Sequence, residues 1–65
     1  MNISLNNQII TLPEAATLAV LLEQVQPETP FAVSVNTVFV AKTAYAATVL
    51  HEGDCVDIVR PVAGG

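Results

Sequence analysis

The chemistry open to this sequence is concentrated at its carboxyl end. Gly64 and Gly65 close the 65 residues, and only one other glycine, Gly53, precedes them. With glycine at about 7% of ordinary usage, a closing pair arises by chance in about half a per cent of sequences. Neither residue has a side chain, so this end can slide through a channel too narrow for anything wider. The group it would deliver there is an α-carboxylate. A carboxylate is a poor electrophile, because resonance and negative charge both resist attack at its carbon. Activation by ATP needs a phosphate-cradling glycine-rich loop, and Gly53-Asp54 is an isolated turn rather than such a loop. Activation is therefore expected from a separate protein.

The other reactive residue types read more plainly as structure. A reactive thiol needs a cationic or helix-terminal setting, and none stands near Cys55 in the sequence, so it reads as a small strand residue. His51 beside Glu52 reads as a solvated turn histidine. Glu52, Asp54 and Asp57 suggest a cation site, yet turn chemistry and a solvent-facing strand position account for them. Arg60 reads as a surface charge, with steering of the tail against a partner carboxylate as the alternative. Lys42 is the one lysine and gives a protein modifier little scope for building chains.

A chain of 65 residues and 6.8 kDa makes one domain. It buries only about 60% of its unfolded surface, too little for a self-contained ATP-, dinucleotide- or haem-dependent enzyme. Apolar residues reach 52% and charged residues only 12%, against about 25% charged in ordinary domains. Some apolar surface is therefore expected to remain for a partner. Two Lys+Arg against six Asp+Glu give a net charge of −4, which a nucleic-acid backbone or an anionic leaflet would repel. There is no apolar run of about 18 residues to span a bilayer. The opening MNISLNNQII lacks the basic stretch of a signal peptide. One cysteine forms no internal disulfide, and no Cys/His spacing resembles a zinc site. The expectation is a cytoplasmic domain without bound metal or cofactor.

The elements that must position the tail follow from periodicity. Ile3 and Leu5 alternate with polar neighbours as in a half-buried strand, Asn6-Asn7 suits a tight hairpin turn, and Gln8 to Leu12 returns as a second strand that Pro13 closes. Leu18, Leu21, Leu22 and Val25 form one apolar helical stripe. Thr17 is the candidate N-cap, and Pro13-Glu14 is a rival start one turn earlier. Pro27 and Pro30 bracket the loop that follows. Phe31, Val33 and Val35 alternate as a third strand, Asn36-Thr37 is a turn, Val38 to Val40 a short strand, and Lys42 to Ala47 has room for one helical turn. His51 to Asp54 is a turn with Gly53 free to take positive φ. In the last strand Val56 and Ile58 face one way and Asp57 the other.

A helix with one apolar stripe and a sheet with one apolar face must cover each other. Hairpin, helix and hairpin in that order suggest a mixed sheet of four to five strands on one main helix. If the first and last strands pair centrally this is the α+β arrangement called β-grasp; another small α+β roll also fits the order. Residues 1–60 would form the domain. Pro61 has no ladder donor and helps end the sheet, leaving residues 61–65 as a flexible tail that reaches about 17 Å.

The run Val33-Ser34-Val35-Asn36, the pair Gly53-Asp54 followed by Val56 and Ile58, and the ending Val62-Ala63-Gly64-Gly65 resemble the ThiS family of thiamine-biosynthesis sulfur carriers. The likeness extends along the whole chain and includes its length. The family often carries a basic residue and a Trp after the short fourth strand, where Lys42 and Tyr45 stand here. The resemblance implies a ubiquitin-like β-grasp fold and a carrier rather than a catalyst. It implies that a ThiF-type adenylating enzyme uses ATP to convert the Gly65 carboxylate to an acyl-adenylate. Sulfur from a cysteine-derived persulfide donor would then produce a thiocarboxylate, which thiazole synthase consumes. Gly65 would carry the sulfur, while Gly64, Ala63 and Val62 thread into partner active sites. The apolar outer sheet face would dock those partners, and the acidic balance would favour a basic patch on them. A molybdopterin synthase small subunit, an isopeptide-forming modifier and a β-grasp interaction module without tail chemistry remain alternative readings.

Overall fold

A computed structural model describes residues 1–60. The expectations for residues 61–65, including Val62, Ala63, Gly64 and Gly65, lie outside the described residues. The alternation at Ile3 and Leu5 is realised as β1 (Asn2–Leu5), which turns back into β2 (Gln8–Thr11). The turn residues Asn6 and Asn7 sit at φ 48° and 68°. Positive φ at both central positions is what lets a two-residue hairpin match strand twist, and asparagine tolerates it better than most residues.

Helix α1 spans Leu18–Val25, and the Thr17 side chain accepts a hydrogen bond from the Val20 N–H at 3.3 Å. The rival start at Pro13-Glu14 does not form a helix, because Ala15 has φ 64° and breaks any helical run through it. The helix stops before Pro27: Gln26 takes a left-handed conformation and donates its N–H to Leu22 O at 2.8 Å. Strands β3 (Ala32–Val35) and β4 (Val38–Val40) form a second hairpin through Asn36 and Thr37, at φ 50° and 70°. A 3₁₀ segment, Lys42–Ala47, occupies the stretch read as one helical turn, and β5 (Cys55–Val59) completes the order.

The sheet order is β2-β1-β5-β3-β4. β5 lies between a parallel neighbour, β1 (Leu5 beside Val56), and an antiparallel one, β3 (Val33 beside Ile58). All other neighbouring pairs are antiparallel. One sheet face supplies Ile3, Val33 and Val56, the helix supplies Leu18 and Leu21, and the loops add Leu12, Ala16 and Leu50 to a single core. Burying each large side chain contributes about 1.5–3 kcal/mol. Val25, the last member of the stripe, is 41% exposed because the helix ends there. The chain before β5 is pinned to the helix entrance by Leu18 N–H to Thr48 O at 2.8 Å and Leu50 N–H to Ala16 O at 2.9 Å. No helix among the described residues is long and apolar enough to cross a membrane.

Candidate functional site

The tail grows from the central strand, and two turn asparagines hold that strand in place. Backbone pairing with β1 ends where Asn6 donates its N–H to Val56 O at 2.9 Å, because the positive φ of Asn6 swings its carbonyl out of the ladder. The Asn6 side chain takes over. Its Oδ1 accepts from Ile58 N–H at 2.8 Å, and its Nδ2 donates to Ile58 O at 3.2 Å. On the other side, Asn36 donates Nδ2 to Asp54 Oδ1 at 3.0 Å and accepts from Cys55 N–H at 2.9 Å. Both ends of β5 are thereby fixed by side-chain amides that imitate peptide groups.

The sheet face away from α1 has no covering element among the described residues. Strand register puts Ile9, Ser4 and Cys55 in one row on that face, and Phe39, Ser34 and Asp57 in the next, with Ala32 beside Val59. Ile9, Phe39 and Val59 are 71%, 67% and 60% exposed. Val59 and Phe39 therefore present apolar surface where the chain leaves β5. Alternation alone does not reveal this, because Val38-Phe39-Val40 is apolar throughout and gives no clue to which side chain faces out.

Two groups of charged residues flank β5. At the start of β5, His51 N–H donates to Asp54 Oδ2 at 2.8 Å, with the His51 ring 3.8 Å from the same oxygen. Burial pushes the Asp54 carboxyl up, but the Asn36 amide, the His51 N–H and the His51 ring outweigh it and hold the group below the usual carboxylate range. Glu52 accepts from Asn2 N–H at 2.9 Å, docking the same turn onto β1. These acids serve the turn, and no cluster of three metal-ligating side chains occurs among the described residues. At the far end of β5, Arg60 Nη2 pairs with Glu28 at 3.0 Å. Asp57 and the exposed Cys55 lie on the open face.

A five-stranded mixed sheet packed on one helix, with β5 at its centre leading to the carboxyl tail, defines a ubiquitin-like β-grasp protein. The ThiS family model matches residues 2–65, and the chain belongs to that family. It is similar to the crystal structure of the thiamine biosynthesis protein ThiS from Geobacter metallireducens, with 25% identity, a TM-score of 0.86 and full coverage of both chains. It is also similar to the solution NMR structure of a thiamine biosynthesis protein from the same organism, at 25% identity and a TM-score of 0.78. That match covers 100% of this chain and 88% of the other. No curated protein matches. The family and these structures support a sulfur-carrier role in thiamine biosynthesis.

Proposed function

We propose that the protein is a sulfur-carrying cosubstrate whose Gly65 carboxylate is activated and charged with sulfur by partner enzymes. The observation that carries this reading is the family match, which runs through the Gly64-Gly65 ending. The fold supports it by rooting that ending in a central, doubly clamped strand beside exposed Val59 and Phe39. A ThiF-type enzyme docks on the open face and admits the tail. The carboxylate attacks the α-phosphorus of ATP, releasing pyrophosphate and forming an acyl-adenylate. The terminal sulfur of a cysteine-derived persulfide then attacks the acyl carbon and AMP leaves. A thiol splits the resulting acyl disulfide, releasing the C-terminal thiocarboxylate and forming a disulfide with the former donor. Thiazole synthase accepts the thiocarboxylate and takes its sulfur. The carrier returns with a plain carboxylate, so it is consumed and recharged rather than acting as a catalyst.

The test is reconstitution with a ThiF-type enzyme, ATP, a persulfide donor and a thiol, followed by intact-protein mass spectrometry. The expected product has one sulfur in place of one oxygen at Gly65, and none forms when Gly65 is deleted. An unchanged mass with a ThiF-type enzyme that charges its own carrier under the same conditions would overturn the reading.

A further inference from the structure

A cleft of about 300 Å³ opens beside the exit from β5, lined by Thr29, Pro30, Phe31, Lys42 and Tyr45. Phe31 alternates with buried Val33 and so lies on the helix side of the sheet, opposite the open face of Phe39 and Val59. Its ring and that of Tyr45 are nearly parallel, inclined by 14° with centroids 6.4 Å apart, and form an apolar wall. Register fixes where the cleft sits. Ala32 pairs with Val59, so Phe31 borders the point where the chain passes from β5 to Arg60. The volume is at the lower end for binding pockets, which run to about 300–1,000 Å³, and gives room for one or two side chains of a partner.

Charge sets the chemistry of the occupant. The sequence has two Lys+Arg against six Asp+Glu, and both basic side chains stand here. Arg60 is held 3.0 Å from Glu28, the residue before Thr29. Lys42 lines the cleft, is exposed, and pairs with no carboxylate among the described residues. None of the five lining residues is acidic. A chain of net charge −4 thus sets an uncommitted ammonium beside an aromatic wall, a setting that favours an apolar side chain next to a carboxylate. Asp57, on the open face, favours the reverse, a basic partner surface. We propose that the cleft is a second docking point for the adenylating partner, which places there an apolar side chain flanked by an Asp or Glu that pairs with Lys42. This rests on the proposed function, since an enzyme that receives the carboxyl end must approach the exit from β5. Gripping the sheet from both faces orients β5 toward the enzyme more tightly than the open face alone.

The test uses the full chain and a ThiF-type enzyme. Lys42→Glu is expected to raise the KM for the carrier in pyrophosphate exchange about 10-fold at unchanged kcat, because repulsion replaces attraction at one contact. Lys42→Arg is expected to keep the original KM. The direction separates this contact from general steering: Lys42→Glu makes the chain more acidic, so attraction to a basic enzyme would lower KM instead. In cross-saturation NMR of the labelled, unsubstituted carrier with unlabelled enzyme, the Phe31 and Tyr45 amides are expected to lose intensity along with those of Phe39 and Val59. An unchanged or lowered KM for Lys42→Glu overturns the proposal, as does saturation confined to the open face. Shifts of the cleft amides that grow with carrier concentration in the absence of enzyme also overturn it, since a second copy then fills the cleft. Both expected effects without any thiocarboxylate count against the proposed function alone. Sulfur loading with KM unmoved by Lys42→Glu counts against the second docking point alone, and no binding at all overturns both.

Discussion

Asn6 grips Ile58 from a turn 52 positions away, accepting from its N–H at 2.8 Å and donating to its carbonyl at 3.2 Å. The parallel ladder between β1 and β5 pairs only two residues on each strand, and this side chain extends their connection by two hydrogen bonds. Asn6→Gly keeps the positive φ of the turn and removes both bonds. The expected loss is about 1–2 kcal/mol in urea unfolding, with faster hydrogen exchange at the Ile58 amide. Unchanged exchange there would show that the clamp holds nothing.

Ala15 and Thr37 pay a backbone cost that glycine would not. Their φ angles are 64° and 70°, and both are exposed. Ala15→Gly and Thr37→Gly are each expected to stabilise the fold by about 1 kcal/mol, the left-handed penalty less the extra freedom of the unfolded chain. Thermal and urea unfolding check this, and the gains should add because the two turns share no partners.

Asp54 makes stability pH-dependent. Its pKa is lowered in the folded state, because the hydrogen bonds from Asn36 and His51 and the His51 ring outweigh the burial that raises it. A group depressed on folding contributes stability that is present above its unfolded pKa of about 4 and is lost as pH falls through the folded value. Acid unfolding should therefore steepen below about pH 4. Asp54→Asn should flatten that limb while lowering stability at neutral pH. Parallel acid limbs in the two proteins would place the sensitivity elsewhere.

Local signals made much of this architecture legible. Thr17 reads as an N-cap because capping is a contact across three residues, and the strands read from alternation. Asn6 and Asn36 read as turn residues, but not as clamps on β5, since those bonds span 52 and 19 positions and leave no periodic trace. Leu50 escapes for a related reason: it lies outside the helix and strands, yet is 1% exposed, while Leu12, read as the end of the second strand, lies one residue past β2 and is equally buried. Thr17 and Pro13-Glu14 both fit helix-start chemistry, and the left-handed Ala15 decides between them. The Gly64-Gly65 ending proposed to carry sulfur, by contrast, is conspicuous by composition. The surface proposed for docking is not, since the face of Phe39 depends on pairing register.

Phe39 and Val59 are the residues on which partner docking should turn. Both protrude from the uncovered sheet face, Val59 at the end of β5 from which the tail departs and Phe39 on β4 in the adjoining row of Asp57. Phe39→Ser or Val59→Ser should change stability by no more than about 0.5 kcal/mol, because neither side chain is part of the core. Losing one buried contact of about 1.5–3 kcal/mol should weaken binding to the adenylating partner roughly 10- to 100-fold. Ile9 is as exposed but lies in the row of Cys55, at the opposite end of β5 from the tail's root, whereas Phe39 lies in the row of Asp57. Ile9→Ser should therefore cost less. Asp57→Lys, in the same row as Phe39, should slow association at low salt and lose its effect at high salt, where charges are screened. Pyrophosphate exchange at varied carrier concentration reads all four variants, the aromatic and Val59 losses appearing in KM. Equal KM for Ile9→Ser and Phe39→Ser would move the docking centre away from the end of β5.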